Sequence, residues 1–310
     1  MSEIDISIII PLYNEEKNIF LLYSRIKDSM KSLTHSYEII FVDDGSRDLS
    51  WDKIKQLCNS NSDVKGVSFL KNFKKSAAYM AGFEKAKGKI IITMDGDLQD
   101  EPAEISRLLD GLKKYDLIIG WKYPRRDGFL RRLPSKIFNF LNVQLFGIKL
   151  HDFDCGFRAM KSNIAKELNL YGDIYRYIPA LVYRLGYKVG EVKIRHNKRK
   201  YGKSRYGWSR LITGFLDLIT VKFISDFQQR PLHLFGSAGM IFFGVGFLAE
   251  LYVLYRRVFL NELFATHLPM LILGVLLIIM GIQLLSIGLI GELITSSKKV
   301  PRYRIKKILN

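Results

Sequence analysis

The apolar run Ile90-Ile91-Ile92-Thr93-Met94 stops at Asp95-Gly96-Asp97. A buried strand that ends in two carboxylates one residue apart carries them to the C-terminal edge of a sheet, where open α/β sheets bind ligands. Paired acids of this kind can hold Mg2+ or Mn2+ against a diphosphate. Two further strand-like runs end in polar groups. SIIIP (residues 7–11) leads into Tyr13, Asn14 and Glu15, and YEIIFV (37–42) leads into Asp43-Asp44-Gly45-Ser46. If the strands are parallel, all these groups share one edge.

The elements that would position them alternate. Strands are expected at 6–11, 37–42, 64–70, 89–94 and 116–120, with helices at 17–32, 51–59, 76–86 and 102–114. Alternation of this kind predicts an α/β fold with a Rossmann-like, mainly parallel sheet. No GxGxxG follows the first strand and no GxxxxGK[ST] occurs anywhere. A nucleotide would therefore be read by carboxylates on its base and ribose, not cradled by a glycine-rich loop.

The chain has 310 residues, 48% of them hydrophobic, and a formal net charge of +18. A strongly basic balance suits a phosphate-bearing partner: nucleic acid, an anionic membrane surface or phosphorylated substrates. No nucleic-acid recognition motif accompanies the basic runs, so no nucleic-acid partner is expected. The two cysteines, Cys58 and Cys155, form no CxxC pattern and read as free thiols of a reducing compartment. The N-terminus lacks the basic start and cleavage site of a signal peptide and reads as the first strand.

The C-terminal third differs in kind. Two apolar runs, about 234–255 and 268–291, are each long enough to cross a hydrocarbon core of roughly 30 Å at about 1.5 Å per residue. Glycines recur in both, at 236, 239, 244 and 246 and at 274, 281, 288 and 291. Small residues let transmembrane helices approach closely, so a two-helix hairpin is expected, one able to pair with other copies. The tail carries Lys298, Lys299, Arg302, Arg304, Lys306 and Lys307, whereas the loop between the runs has Arg256 and Arg257 beside Glu262. The positive-inside rule then puts both termini and the N-terminal domain in the cytoplasm of a multi-pass plasma-membrane protein. Aromatic and aliphatic residues at helical spacing over 206–230 read as interfacial amphipathic helices. The expected organisation is a catalytic domain at 1–205, interfacial helices at 206–230, a transmembrane hairpin at 231–292 and a basic tail at 293–310.

PLYNEE, VDDGS, DGDLQD, HDFDCGFRAM and RHNKRKYGKSRYGWSR, in that order, resemble the family 2 (GT-A fold) glycosyltransferases. Within that family the chain is similar to the polyprenyl-phosphate sugar transferases, such as dolichol-phosphate mannose synthase and the bacterial undecaprenyl-phosphate glucosyl and aminoarabinose transferases. The resemblance covers essentially the whole chain. It implies inverting transfer of a sugar from a UDP- or GDP-linked donor to a membrane polyprenyl phosphate, with Mg2+ or Mn2+ as cofactor.

Carried over position by position, the resemblance assigns Pro11, Tyr13 and Glu15 to the donor's base and ribose and Asp43 and Asp44 to the nucleoside. Asp95 and Asp97 match the metal-binding acids, Asp97 also acting in catalysis, and Gln99 completes that site. In KNFKKSAAYMAG, Lys75 and Ser76 keep their places and Lys75 is a donor contact. Lys74 stands where glycine is common; if that glycine needed φ > 0, the loop is expected to have changed shape. Asp154 falls where relatives carry an acid near the acceptor, as an orienting group or a base, with Arg158 tying it in place. Two basic clusters, one with Arg126 and Arg131 and the other with Arg199, Lys203 and Ser204, offer guanidinium and ammonium groups to phosphates. Arg126, Arg131 and Arg158 are assigned to the acceptor phosphate, Arg199, Lys203 and Ser204 to the donor. His151 and His196 read as ordinary polar loop residues. Two alternatives stand beside this reading. One is a processive polysaccharide synthase, although Gln228-Gln229-Arg230-Pro231 lacks the tryptophan of the usual Q-x-x-R-W motif. The other is a non-catalytic membrane scaffold or sensor that keeps the fold.

Overall fold

In the computed structural model, residues 4–123, 142–197, 220, 222–223 and 231–297 are described. The chain folds as two units, 1–222 and 223–310. The expected interfacial helices at 206–230 and the basic tail fall almost wholly outside the described residues.

The first unit is built on β1 (Ile6–Leu12), β2 (Tyr37–Asp43), β3 (Val64–Ser68), β4 (Ile90–Thr93), β5 (Leu117–Lys122), β6 (Arg158–Lys161) and β7 (Val189–Ile194). They form one sheet in the order β3-β2-β1-β4-β6-β5-β7. β1 lies between β2 and β4, with Ile8 opposite Ile39 on one side and Ile92 on the other. Both its faces are covered, so it reads as a continuous apolar run without alternation. Ile6, Ile8, Ile9 and Ile10 are all fully buried. Each contributes about 1.5–3 kcal/mol of hydrophobic stabilisation.

Helices α1 (Ile19–Lys31), α2 (Ser50–Ser60), α3 (Lys74–Lys85) and α4 (Ile105–Gly111) follow the first four strands. The helix expected at 102–114 is shorter than the sequence suggests: Pro102–Glu104 is a 3-10 turn that leads into α4. Proline fixes φ but has no N–H to donate, which suits the first turn and not the interior.

The sheet is parallel except for β6, which runs antiparallel to both β4 and β5. This strand begins within the HDFDCGFRAM motif and was not foreseen as a strand. Its reversal places its first residue, Arg158, opposite Thr93 at the end of β4. The segment leading into β6, with Asp154 and Gly156, therefore meets the edge where the parallel strands end.

The second unit contains two long helices, Pro231–Leu260 and Leu268–Ser297, joined through a 3-10 turn at Phe264–His267. Both are long and apolar enough to cross a membrane. They extend beyond the spans expected from hydropathy. Glycines line the seam between them: a Cβ at Gly246 would lie 2.6 Å from the Gly274 carbonyl oxygen, and one at Gly281 2.7 Å from that of Gly239. The backbones meet where a side chain would hold them apart, as small residues allow in lipid. Bulky apolar side chains such as Leu248, Leu276 and Ile290 face outward.

Candidate active site

Four loops at the C-terminal edge of the sheet each contain a residue in the left-handed region: Asn14 (φ 55°) after β1, Gly45 (69°) after β2, Lys74 (71°) after β3 and Leu98 (62°) after β4. Three of these are not glycine, and each costs on the order of 1–2 kcal/mol that the surrounding bonds must offset. Lys74 thus keeps the backbone conformation natural to glycine. The expected change of loop shape is not seen, and the lysine carries the strain instead.

The loops are stitched to one another. The Asn14 N–H donates to Ser46 Oγ (2.8 Å) and the Arg47 N–H to Asn14 Oδ1 (2.8 Å). The Glu15 N–H donates to Ser50 Oγ (2.9 Å), and Asn18 Nδ2 donates to Glu15 Oε2 (2.5 Å). Pro11 lies within β1 opposite Val42. Asp43 accepts from the Ser46 N–H and from Ser68 Oγ, both at 3.1 Å. Asp44 accepts the Phe73 N–H at 2.6 Å, tying the β2 loop to the start of α3. Burial raises the pKa of Asp44, and the neighbouring Asp43 adds to this, against the lowering effect of the Phe73 and Lys74 N–H groups. Asp43 and Asp44 are both buried, so shaping these loops is a large part of what their carboxylates do.

The two acids of DGD sit beyond β4. Lys75 Nζ donates to Asp95 Oδ1 at 2.5 Å. The same ammonium rests over the rings of Tyr79 and Tyr175, 5.6 and 5.1 Å from their centroids. Burial alone would raise the Asp95 pKa, but Lys75, Lys122 and Arg158 together hold it below the usual carboxylate range. Asp97 is 8% exposed and accepts the Gln99 N–H at 3.2 Å. Asp100, two residues past the loop's apex, accepts the Asp95 N–H at 3.2 Å. Burial pushes its pKa up to about 7, helped by Asp95 and Asp97 and opposed by Lys122. Lys122 has its own pKa raised: burial works against its charge, but Cys155, Asp100, Asp152 and Asp95 outweigh it.

Gln99 turns toward the end of β7. Its Nε2 lies 3.4 Å from His196 Nε2 and donates to the Asn197 carbonyl at 3.5 Å. The Asn197 N–H in turn donates to the Gln99 carbonyl at 2.8 Å, pinning the DGDLQD loop to this segment. His151 is held elsewhere, with its N–H on Glu191 Oε2 (2.7 Å), its ring paired with Glu191 and stacked 4.0 Å from Trp121.

Asp95 and Asp97 suit a divalent cation. They offer hard oxygen donors, and glycine at 156 lets the chain pass close against one of them without a side chain in the way: a Cβ there would lie 2.5 Å from Asp95 Oδ1. Among the described residues no group of three or more His, Cys, Asp or Glu could hold a metal by itself. Two carboxylates completed by substrate phosphates are a usual way to bind Mg2+.

On the other side of Gly156, Asp154 faces Arg176, with Nε 3.7 Å from Oδ1. Arg176 also reaches Asp173 (4.0 Å), and its pKa is raised: burial lowers it, but Tyr175, Asp154 and Asp173 more than offset this. Arg158, expected to contact the acceptor phosphate and to tie Asp154, is instead fully buried. Its Nε donates to the Cys155 carbonyl (2.7 Å) and its Nη1 to that of Tyr175 (2.9 Å). Arg158 folds the turn beneath the site, and Arg176 is a charge partner of Asp154. No spacing or motif around RYIP marks Arg176 in the sequence, and Lys122 is equally unmarked in IIGWKY. Cys58 and Cys155 are free, and burial pushes the Cys155 thiol up. Arg126, Arg131, Arg199, Lys203 and Ser204 lie outside the described residues.

Residues 7–168 match the sequence family described as "Glycosyl transferase family 2". Dodecaprenyl-phosphate galacturonate synthase of Rhizobium johnstonii is 35% identical, over 100% of this chain and 94% of that protein. Undecaprenyl-phosphate 4-deoxy-4-formamido-L-arabinose transferase of Aeromonas hydrophila is 33% identical, over 98% of this chain and 94% of its own. Glucosyl-3-phosphoglycerate synthase from Mycobacterium tuberculosis shares the fold. Its complex with Mn2+, UDP and phosphoglyceric acid aligns with a TM-score of 0.53 at 18% identity, covering 71% of this chain and 78% of that one. Its complex with Mg2+ and UDP aligns equally well, at 0.53 and 20% identity, covering 69% and 79%.

Proposed function

This chain belongs to glycosyl transferase family 2, and from that premise we propose that it transfers a sugar from a UDP- or GDP-linked donor to a polyprenyl phosphate embedded in the membrane. The observation that carries this reading is the Asp95/Asp97 pair at the C-terminal edge of the sheet, in a chain that aligns end to end with polyprenyl-phosphate sugar transferases. Two helices long and apolar enough to span a bilayer supply the membrane attachment such an acceptor demands. The basic tail favours a topology with both termini and the catalytic unit on the cytoplasmic side.

The loops after β1 and β2, stitched through Asn14, Ser46 and Ser50, form the floor for base and ribose, with Tyr13 and Glu15 on its surface. Lys75 brings a cation to the diphosphate. Asp95 and Asp97 are the residues that would hold Mg2+ or Mn2+, which when bound stabilises the charge that develops on the departing nucleoside diphosphate. That the fold neighbours are complexes with Mn2+ or Mg2+ and UDP supports this.

The acceptor phosphate is already ionised near neutral pH, so it attacks the anomeric carbon without needing a strong base. The new bond forms from phosphate oxygen to C1 as the bond to the donor diphosphate breaks, and the centre inverts. Asp154, fixed by Arg176, is then an orienting group for acceptor or sugar. Arg126 and Arg131 are assigned to the acceptor phosphate and Arg199, Lys203 and Ser204 to the donor.

The test is transfer itself. Full-length protein in detergent is incubated with Mn2+, polyprenyl phosphate and a panel of radiolabelled UDP- and GDP-sugars. Label should enter the organic phase with at least one donor, and Asp97→Ala should abolish it. No lipid-soluble label with any donor would refute the reading and leave the scaffold alternative.

A further inference from the structure

Lys75 and a divalent cation compete for the same carboxylate. Lys75 Nζ is bonded to Asp95 Oδ1 at 2.5 Å, and Asp95 is one of the two acids placed to hold the metal. The ammonium is confined as well as paired. It lies over Tyr79 and Tyr175, and the helix that carries it is anchored one residue on, where Ser76 Oγ accepts the Tyr175 N–H at 3.2 Å. Rings under an ammonium favour its position electrostatically.

The other cations near Asp95 differ from Lys75 in one respect. Arg158 is fixed by two carbonyls, and the charge of Lys122 is favoured by Asp100 and Asp152 as well as by Asp95. Among the described residues neither donates a hydrogen bond to the Asp95 carboxylate, and Arg158 is committed to its two carbonyls. Lys75 stands on the first turn of α3 with a long, single-chain side chain, the kind that re-aims without moving backbone.

We propose that Lys75 is a latch on Asp95, released when a nucleoside diphosphate offers its ammonium a second anionic partner, so that cation and donor load the site cooperatively. This rests on the donor-and-metal reading of the site. Bonded to Asp95 Oδ1, the ammonium repels a second positive charge there. A diphosphate draws Lys75 into charge-assisted bonds of its own and frees the oxygen. Arg158 and Lys122 keep Asp95 anionic whichever partner Lys75 holds. Lys75 is on this account a positioning residue, and its effect is a coupling between two ligands that must be reciprocal.

The experiment measures Mn2+ binding to the full-length protein in detergent by electron paramagnetic resonance. It is run with Mn2+ alone and with saturating UDP or GDP, correcting for Mn2+ held by free nucleotide. In the wild type the effective nucleotide should tighten Mn2+ binding roughly tenfold, within the 5–150-fold range usual for such coupling. Lys75→Met should bind Mn2+ alone about tenfold more tightly than the wild type, and its gain from nucleotide should shrink below about threefold. Lys75→Arg, which keeps the charge, should behave like the wild type, and an unchanged melting temperature certifies the fold of each variant. Asp97→Asn should lose Mn2+ binding in both the wild-type and the Lys75→Met backgrounds, which ties the signal to this site. If the wild type binds Mn2+ and nucleotide together but Lys75→Met binds Mn2+ alone no more tightly, the latch is overturned while the site reading stands. If the wild type binds neither, the site reading falls and the latch with it.

Discussion

Replacing Gly156 with alanine adds one methyl group at the most sensitive point of the site. The new Cβ would lie 2.5 Å from Asp95 Oδ1, 2.9 Å from its Cγ and 3.0 Å from Oδ2, against an ordinary contact beginning near 3.4 Å. About 0.9 Å of separation must be found. The glycine side cannot readily supply it. The Gly156 carbonyl accepts Thr93 Oγ1 at 2.7 Å, the Cys155 carbonyl accepts Arg158 Nε at 2.7 Å, and the Phe157 carbonyl accepts the Gly120 N–H at 2.9 Å. Asp95 therefore yields, rotating its carboxylate away from Lys75. Overpacking of this kind costs about 1–3 kcal/mol of stability, which in a domain of this size lowers the melting temperature by a few degrees. Displacing a reacting constellation by about 1 Å costs on the order of 100-fold in rate. Gly156→Ala should therefore remain folded while sugar transfer falls about 100-fold and Mn2+ binding weakens in parallel, as read by transfer, melting and resonance assays. Transfer within threefold of the wild type, with unchanged Mn2+ binding, would refute the claim that Asp95 must stay where the structure holds it.

Two further outcomes follow from the same loops. Lys74→Gly removes an L-residue from φ 71° and should raise the stability of the protein by up to about 1 kcal/mol in denaturant unfolding, whereas Lys74→Ala should give no such gain. Asp100 has a folded-state pKa near 7 against an ordinary value of 3.8. The folded protein thus holds a proton that the unfolded chain releases, so this carboxyl costs stability progressively as pH rises from about 4 to about 7. The melting temperature of Asp100→Asn relative to the wild type, without added metal, should rise across that interval; a flat difference would show that Asp100 does not titrate there.

The parallel half of the sheet was legible because β1, β2 and β4 are apolar runs buried on both faces and closed by acids. Asp43, Asp44, Asp95 and Asp97 fall at strand ends for that reason. β6 was not legible. It is four residues long, and its first, Arg158, is a charged residue that no burial pattern predicts inside a sheet. The same fact reverses the reading of Arg158, whose charge looked available to a phosphate until its bonds to two carbonyls were seen. Arg176 and Lys122 act through contacts between segments far apart in the chain, which spacing cannot encode. Lys74 shows a third kind of failure. The residue type argued against a left-handed backbone, but Asp44 binds the Phe73 N–H just before it, and the loop's tertiary bonds decided the conformation.

The one reversed strand has a consequence for how such a chain can diversify. Because β6 enters the sheet from the rim at which its neighbours exit, the long excursion between β5 and β6 leaves and returns on the same side. Its last residues are fixed, since Phe153, Cys155 and Phe157 are buried in the core and Gly156 packs against Asp95, but a change of length ahead of them does not by itself shift the pairing of β6 with β4 and β5. A scaffold wired this way tolerates insertion at that rim, and a variant lengthened there that kept its melting temperature would show the ladder to be indifferent to it.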